Sequence, residues 1–338
     1  MQDIKELFQR LDRQANSKIV ITTHHKPDGD ALGSSLALWK FLRNQGFDVH
    51  VVSPTDYGVH LQWMPNQEQV INFEMAYNRA KELVEQADFI FCLDFNALHR
   101  INELGDIIRN CKAEKIMIDH HQEPEDFDQY RYWTTQTTST AQLVEEVIVM
   151  WKGAEAIDAD MATCLYTGIM TDTGSFRFDT VTPHTHRTVA ELIERGAQNS
   201  FIHQKVFDNF SYDRLRFIGH CLANNLEIIP ELKTAVMSVT REELQEYKIQ
   251  TGDTEGLVNY GLSIRGIEFS ALFIDRTKLI KISFRGSGKF PCNEFSRDNF
   301  SGGGHFNAAG GQSTETLKEA VERFKHILPN YKKYLADD

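Results

Sequence analysis

The sequence predicts an α/β fold, in which a parallel β-sheet with helices on both faces is followed by a helical connector and a smaller α+β domain. Four apolar, β-rich runs alternate with segments of helical periodicity, which is the pattern of βαβ units. After Glu227 the pattern of predicted elements changes, and strand-like runs follow one another closely. A length of 338 residues suits about two domains. We therefore expect a first domain at 1–195, a helical connector at 196–226 and a second domain at 227–338.

Periodicity and capping residues predict the elements of the first domain. Apolar residues from Ile4 to Leu11 recur at helical spacing, which indicates an amphipathic helix at the N-terminus. The segment from Ser139 to Gln142 has the form of a capping box and should open a helix, as should Thr182-Pro183. Strands are predicted at 18–23, 48–52, 89–94 and 115–119, and further helices at about 31–44 and 158–169.

The connector and the second domain are predicted in the same way. The chain from about 201 to 226 has continuous helical character, as expected of a connector. Beyond it, strands are predicted at 235–239, 267–274 and 279–284, and helices near 242–247 and 317–327. Strands and helices that are not in strict alternation are typical of an α+β domain.

Bulk composition excludes several classes of protein. A net charge of −12 argues against a surface that follows long nucleic acid, although bound cations could still hold a small phosphorylated substrate. No apolar run approaches the ~20 residues that a membrane span needs, and the N-terminus lacks the features of a signal peptide. Five scattered cysteines without a Cys-x-x-Cys pair indicate reduced thiols. We therefore expect a cytoplasmic protein without a membrane partner.

Acidic and histidine residues cluster where three predicted strands and one predicted helix end. The four clusters are His24-x-x-x-Asp28-x-Asp30, Asp94, Asp119-His120-His121 and Asp172. Because ligands bind beyond the carboxyl ends of parallel strands, we expect these side chains to meet. A carboxylate at the end of a buried strand must be neutralised or coordinated, which favours a metal site.

Single residues of these clusters also have structural explanations. Asp30 precedes a predicted helix and could serve as its N-cap, and Asp172 could be a turn or capping aspartate. The neighbouring side chains of His120 and His121 diverge, so we expect one to bind metal and the other to face substrate. Asp119 could orient a ligating imidazole.

Taken together, the clusters supply enough ligands for two metal ions. Carboxylate and imidazole ligands without thiolates favour Mn²⁺ or Mg²⁺, with Fe²⁺, Co²⁺ and Zn²⁺ as alternatives. Two ions about 3.5–4 Å apart activate a water and stabilise the oxygens of an in-line displacement at phosphorus. The sequence therefore predicts phosphoryl hydrolysis.

A glycine-rich segment in the second domain, Gly302-Gly303-Gly304-His305, is predicted to bind an anion. Consecutive glycines let backbone N–H groups approach an anion, and His305 would add a directed contact. The small residues that follow are expected to be helix-like, and a flexible loop is the structural alternative. Arg285 ends a predicted strand and could hold a phosphate or carboxylate with its planar fork.

These motifs match a known family. The chain resembles the DHH phosphoesterase superfamily, which is named for the triplet at 119–121. It is most similar to the subgroup with a DHH-associated C-terminal domain, of the oligoribonuclease (nano-RNase) and 3′-phosphoadenosine 5′-phosphate phosphatase type. Five motifs in order, ending with GGGHxxAAG at 302–310, carry the resemblance over nearly the whole chain.

The resemblance implies a role for each candidate residue. The first ion would be held by His24, Asp28 and Asp94. The second would be held by Asp30, Asp94, His120 and Asp172, with Asp94 bridging the two. The family spacing selects His24, which leaves the neighbouring His25 without an assigned role.

The resemblance also implies how substrate is held. His121 would face the scissile phosphate and, with Asp119, form the catalytic pair. The substrate's phosphate or nucleotide would be gripped by Arg285, Gly303, Gly304 and His305. The active site is then expected in a cleft between the domains, with a hinge near 196–226 that closes it.

The expected function is two-metal hydrolysis of short oligoribonucleotides to mononucleotides, with Mn²⁺ preferred and 3′-phosphoadenosine 5′-phosphate as a further substrate. The alternatives are a cyclic or linear dinucleotide phosphodiesterase and a non-catalytic nucleotide-binding regulator. The intact set of ligands argues against the regulator. A short oligonucleotide or phosphorylated nucleotide is the expected partner, long nucleic acid is not, and self-association as a homodimer is left open.

Overall fold

The computed structural model describes residues 3–14 and 16–335, and the chain forms two compact units. The first unit comprises residues 1–209 and the second residues 210–338. The division between them lies inside the predicted connector at 196–226. No helix in the described part of the chain is both long and apolar enough to cross a membrane.

The first unit alternates helices and strands, as predicted. Its strands are β1 (Lys18–Thr23), β2 (Asp48–Ser53), β3 (Val70–Asn72), β4 (Phe89–Leu93), β5 (Glu114–Asp119) and β6 (Tyr130–Trp133). Its helices are α1 (Ile4–Arg13), α2 (Gly29–Asn44), α3 (Tyr77–Gln86), α4 (Glu103–Asn110), α5 (Thr140–Lys152), α6 (Ala159–Asp172), α7 (Pro183–Glu194) and α8 (Asn199–Phe207).

The six strands of the first unit form one parallel sheet in the order β3-β2-β1-β4-β5-β6. The predicted parallel sheet is therefore confirmed. The chain adds strands to one side of β1 and then returns to build outward from β4 on the other side. Ligands of such sheets bind at this reversal, beyond the carboxyl ends of the two strands.

Helices cover both faces of this sheet, because alternate side chains of each strand are apolar on both sides. On one face, Ile19 and Ile21 of β1 lie in a core with residues of α1, α2, α5 and α6. On the other face, Val20 and Ile90 lie in a core with residues of α3 and α4. The central strands β1 and β4 are thus buried almost throughout, which explains their continuous apolar sequences.

The second unit is an α+β domain. Its helices are α9 (Tyr212–His220), α10 (Arg241–Glu246), α11 (Asn259–Leu262), α12 (Cys292–Phe300) and α13 (Leu317–Ile327). Its strands are β7 (Leu226–Ile229), β8 (Thr234–Val239), β9 (Phe269–Asp275), β10 (Ile280–Gly286), β11 (Gly303–His305) and β12 (Ala308–Ser313). They form a mixed sheet in the order β11-β12-β10-β9-β8-β7, in which only β8 and β9 pair in parallel.

Two further cores lie on the faces of the second sheet. Phe269, Phe273 and Phe284 pack with residues of α12 and α13 on one face. Leu272 and Ile274 pack with residues of α9 and α10 on the other. Each unit therefore has hydrophobic cores of its own.

The expectation of continuous helix from 201 to 226 is wrong. Helix α8 ends at Phe207, and α9 begins at Tyr212 with Ser211 as its N-cap. A π-helical turn at Cys221–Asn225 then leads into β7. Ser211 caps a new helix soon after α8 ends, so the apolar residues keep a helical spacing although the helix itself is interrupted.

The helix-like segment expected after the glycines is also wrong, because residues 308–313 form strand β12. The pairing of His305 with Ala308 closes a hairpin between β11 and β12. The short strands β3, β6 and β7 were not predicted. These three strands lie at the edges of their sheets, and β6 and β7 consist mainly of partly or fully exposed residues, so they lack the buried apolar run of the central strands.

Candidate metal centre

Three neighbouring strands bring the candidate ligands of the first unit together. His24 directly follows β1, Asp94 directly follows β4, and Asp119 is the last residue of β5. These strands adjoin in the sheet, and the pair β1–β4 marks the reversal of strand order. The site therefore lies where parallel sheets bind ligands.

The hydrogen bonds of His24 fix the orientation of its ring. His24 Nδ1 lies 2.9 Å from the carbonyl oxygen of His25, and it must donate because a carbonyl only accepts. Nε2 then faces the carboxylates, 3.5 Å from Asp94 Oδ2 and 3.8 Å from Asp28 Oδ2. A backbone bond at one ring nitrogen is the usual arrangement for a metal-ligating histidine.

His25 points elsewhere. Its backbone N–H and its Nδ1 both lie 2.9 Å from the carbonyl oxygen of Arg100. This geometry agrees with the choice of His24 as the ligand and gives His25 a role in holding the loop after β1 against the segment after β4.

Asp28, and not Asp30, caps helix α2. Asp28 Oδ1 accepts from the backbone N–H groups of Asp30 and Ala31, each at 3.0 Å. Asp30 instead accepts from the N–H groups of Thr140 at 2.7 Å and Ala141 at 2.8 Å, at the start of α5. The expected capping role of Asp30 at its own helix is thus wrong, because its carboxylate is buried against a different helix N-terminus.

Asp94 lies between two groups of candidate ligands. Its Oδ2 faces His24 Nε2 and its Oδ1 faces His120 Nε2, each at 3.5 Å. The backbone at Asp94 has φ of 64°, the left-handed conformation that turns the chain sharply at the end of β4. Thr140 Oγ1 donates to Asp94 Oδ1 at 2.9 Å. One carboxylate thus presents a different oxygen to each group.

The second group centres on His120. Its Nε2 lies 3.5 Å from Asp94 Oδ1, 3.5 Å from Asp172 Oδ2 and 4.0 Å from Asp30 Oδ2. Burial lowers the pKa of His120, but its contact with Asp94 and the charges of Asp172, Asp94 and Asp30 outweigh burial and raise the pKa to about 10. This part of the site strongly favours a positive charge.

Asp119 contacts His121 and not a ligating imidazole. Its Oδ1 lies 2.8 Å from His121 Nδ1, and both residues are buried. Burial raises the pKa of Asp119 to about 6, although the charge of His120 acts in the opposite direction. Burial and the charge of Arg100 hold the pKa of His121 well below its usual range. Asp119 therefore orients the histidine that was expected to face substrate.

Helix packing brings Asp172 to the centre. Asp172 is the last residue of α6, and α6 packs closely across α2. A side chain at Gly29 would meet Thr171 Oγ1 at 2.4 Å, so glycine allows the start of α2 to approach the end of α6. This packing brings Asp172 close to His120 and to Asp30, which lies in the first turn of α2.

The donor set fits divalent cations. His24, Asp28 and Asp94 form one group, and Asp30, His120 and Asp172 form another, each with ligand atoms within 4.8 Å of one another. Burial and the charges of Asp94 and Asp172 raise the pKa of Asp30 well above its usual range. Among the described residues, neither Asp30 nor Asp94 forms an ion pair with lysine or arginine. Two divalent cations would offset this buried negative charge.

The candidate substrate residues of the second unit lie on one hairpin and the strand beside it. Arg285 pairs with Ala308, and Ala308 pairs with His305. Residues that are paired across strands point to the same face, so Arg285 and His305 share a face of this sheet.

The three glycines before His305 differ in how much space surrounds them. A side chain at Gly302 would meet the carbonyl oxygen of Gly310 at 1.9 Å, and one at Gly304 would meet that of Ala308 at 2.6 Å. Gly303 has open space instead. Close packing therefore explains two of the three glycines, and only Gly303 has a backbone that is open to approach.

Sequence reasoning missed Thr140. Its hydroxyl contacts Asp94 and its N–H contacts Asp30, so it joins two candidate ligands from different loops. The capping pattern at 139–142 predicted a helix start here, but nothing in the local sequence identified which carboxylates it meets. The run of threonines before α5 was the available signal.

Comparisons with known proteins agree with this architecture. Residues 18–169 match the N-terminal domain of the DHH family, and residues 232–331 match the DHHA1 domain. A crystal structure of an exopolyphosphatase-related protein from Bacteroides fragilis is 38% identical, with a TM-score of 0.92 over 98% of each chain. The chain belongs to the DHH family.

Curated relatives of this DHH protein cover most of its length. The bifunctional oligoribonuclease and PAP phosphatase NrnA of Thermus thermophilus is 29% identical over 93% of this chain and 92% of the relative. NrnA of Bacillus subtilis is 24% identical over 86% of this chain and 88% of the relative. RecJ of Thermus thermophilus, solved in complex with Mn²⁺, is 14% identical with a TM-score of 0.54 over 96% of this chain and 54% of RecJ, and shares the fold alone.

Proposed function

We propose that this DHH protein is a two-metal phosphodiesterase that hydrolyses short oligoribonucleotides to mononucleotides. The position of Asp94, with one oxygen toward each group of ligands, is the observation that carries the proposal. A carboxylate in this position suits two ions that act on one phosphate. The full-length similarity to oligoribonucleases named NrnA supports the substrate class.

The proposed metal sites use the two groups in full. The first ion is assigned to His24, Asp28 and Asp94, and the second to Asp30, Asp94, His120 and Asp172. When bound, two divalent ions would lower the pKa of a water and neutralise charge on the phosphoryl oxygens. Mn²⁺ is our proposed native metal because carboxylate and imidazole donors suit it.

His121 and Asp119 are proposed as the catalytic pair. His121 can donate to the scissile phosphate through a proton on Nε2, and it stabilises the charge there most strongly as the imidazolium, in which both ring nitrogens carry protons. Asp119, at 2.8 Å from Nδ1, is placed to hold the ring in one orientation and to stabilise that imidazolium. The approach of a phosphate dianion or diester would favour the same protonation.

Arg285, Gly303, Gly304 and His305 are proposed to hold the substrate. A shared face for Arg285 and His305 supports this assignment. Arginine binds phosphate through two parallel hydrogen bonds, and the open backbone at Gly303 allows an anion to approach. Close packing at Gly302 and Gly304 would keep this hairpin rigid.

The bifunctional names of the relatives support a second activity, dephosphorylation of 3′-phosphoadenosine 5′-phosphate. The net charge of −12 supports short substrates over long strands, because only local cations would attract phosphate. A cytoplasmic location remains a prediction, and we assign no oligomeric state.

A cyclic dinucleotide phosphodiesterase is the second candidate. The cyclic-di-AMP phosphodiesterase GdpP of Bacillus subtilis is 26% identical over 94% of this chain. The match spans only 48% of GdpP, whereas it spans 92% of the Thermus oligoribonuclease. The comparison favours the oligoribonuclease.

The test is a panel of substrates with Mn²⁺, assayed for release of mononucleotide and phosphate. The panel holds a dinucleotide, a five-mer and a 24-mer RNA, 3′-phosphoadenosine 5′-phosphate, a cyclic dinucleotide and pyrophosphate. We expect the dinucleotide and five-mer to be hydrolysed fastest, with turnover of the bisphosphate. Asp94→Ala should abolish turnover, and Asp106→Asn, an exposed aspartate of α4, should leave it unchanged.

Other outcomes would change the assignment. If the protein prefers the cyclic dinucleotide or pyrophosphate, the assignment of the metal centre stands but the proposed substrate is wrong. No turnover that depends on Asp94 would contradict the proposal and favour a nucleotide-binding regulator.

A further inference from the structure

Arg100 is held next to the candidate metal centre through its backbone. It lies in the 3₁₀ turn Leu98–Ile101, six residues after Asp94. Its carbonyl oxygen accepts from the N–H and the Nδ1 of His25, the residue after the candidate ligand His24. Because these bonds involve the carbonyl, a change of the Arg100 side chain leaves them in place.

The guanidinium of Arg100 is half-buried and lies near the residues that follow the DHH triplet. Its Nη1 is 3.5 Å from Asn96 Oδ1, and Asn96 Nδ2 donates to the carbonyl oxygens of Gln122 at 2.7 Å and Glu123 at 3.3 Å. In residues 3–14 and 16–335, no carboxylate lies within 4.0 Å of Arg100 to form an ion pair. A half-buried cation without an acidic partner is a suitable site for an external anion.

The charge of Arg100 also reaches the catalytic pair. After burial, it contributes most to the low pKa of His121. The contact with Asn96, which donates to the carbonyl oxygen of Gln122, links the guanidinium to the residue that directly follows His121.

We propose that Arg100 is a substrate-contacting residue whose guanidinium binds the non-bridging oxygens of the scissile phosphate. Arginine presents two parallel N–H donors that match two phosphoryl oxygens. Arg100 adds a fixed positive charge that Asn96 links to the residues following the DHH triplet. The assignment of a scissile phosphate rests on the proposed function, but anion binding by Arg100 can be tested without turnover.

A purely structural role makes different predictions. If Arg100 only offsets the charge of the buried carboxylates, its loss should destabilise the metal-free protein and tighten metal binding. It should then leave the affinity for phosphate unchanged. A substrate contact predicts the reverse, with weaker phosphate binding and an unchanged metal content.

The experiment compares Arg100→Gln, Arg100→Lys and Arg109→Gln in the full chain. Arg109 is an exposed arginine of α4 and serves as the matched control. Binding of inorganic phosphate and of adenosine monophosphate to the Mn²⁺-loaded proteins is measured by titration calorimetry, with bound Mn²⁺ and melting temperature recorded for each. We expect Arg100→Gln to weaken both anions by about 10- to 100-fold, as for loss of a charged hydrogen-bond pair.

Arg100→Lys should recover part of this loss, because lysine keeps the charge without the planar fork. Arg109→Gln should bind both anions as the unmodified protein does. Unchanged phosphate affinity in Arg100→Gln, with or without altered Mn²⁺ binding, would overturn the proposal. If the unmodified protein does not hydrolyse oligoribonucleotides, the phosphate titration still decides the role of Arg100.

Discussion

Single hydrogen bonds determine which histidine atoms face the metal centre. The bond from His24 Nδ1 to a backbone carbonyl leaves Nε2 toward Asp28 and Asp94. The bond between His121 Nδ1 and Asp119 orients the neighbouring ring separately. Because Nδ1 of each ring bonds to the protein, Nε2 is left to face a metal ion or a substrate, and holding the ring in one orientation reduces the entropy lost on binding.

Metal binding should release protons, and His120 should supply one of them. Its pKa of about 10 means that the metal-free protein holds this proton at pH 8, whereas a ligating imidazole must be neutral. Mn²⁺ affinity should therefore rise with pH up to about 10. Calorimetric titrations at pH 8, in buffers of different ionisation enthalpy, count the protons released.

His120→Asn is the matched variant for this count. It should release about one proton fewer per chain than the unmodified protein, in addition to binding Mn²⁺ more weakly. An equal proton count in the two proteins would contradict the assignment of the raised pKa to His120.

At the scale of secondary-structure elements, close helix packing places the ligands that the strands do not carry. Asp30 near the start of α2, Asp172 at the end of α6 and Thr140 at the start of α5 meet because these three helices pack together. A side chain at Gly33 of α2 would meet the carbonyl oxygen of Cys164 in α6 at 2.4 Å. The backbones of α2 and α6 are thus in direct contact.

Gly33→Ala should separate these two helices. We expect a loss of about 1–3 kcal/mol in the free energy of unfolding, because a backbone atom cannot move aside as a flexible side chain can. Mn²⁺ affinity should fall as well, since Asp30 and Asp172 lie on the two displaced helices. Urea unfolding in the presence of a chelator measures the first effect, and metal titration the second.

Gly219→Ala provides the control for this substitution. Gly219 lies in helix α9 with open space around it, so alanine should stabilise the protein by up to about 1 kcal/mol through helix propensity. Equal stability of the Gly33→Ala variant and the unmodified protein would contradict the close contact between α2 and α6.

At the scale of the whole molecule, the sequence predicted the parallel sheet and the location of candidate ligands at the ends of its strands. The strands β1, β4 and β5 are continuous apolar runs, and His24, Asp94 and Asp119 lie at their ends. A buried strand has a clear local signal, and topology then brings the strand ends together.

Features that depend on contacts distant in sequence were less predictable. Asp28 caps helix α2 where Asp30 was expected to do so. Asp30 instead accepts a hydrogen bond from the start of α5, more than 100 residues away in the sequence. The Gly-rich segment forms a hairpin because it pairs with a strand that itself consists of small residues. Arg100 carries no local signal, since its environment is set by His25 from the loop after β1 and, through Asn96, by Gln122 and Glu123 after β5.

The most direct test of this account is the number and the coupling of the metal ions bound at Asp94. Equilibrium titration with Mn²⁺, followed by electron paramagnetic resonance, should show two ions per chain with the spin coupling expected about 3.5–4 Å apart. Asp94→Asn should lose the coupling and at least one ion. A single ion in the unmodified protein, or two ions without coupling, would contradict a centre bridged by Asp94.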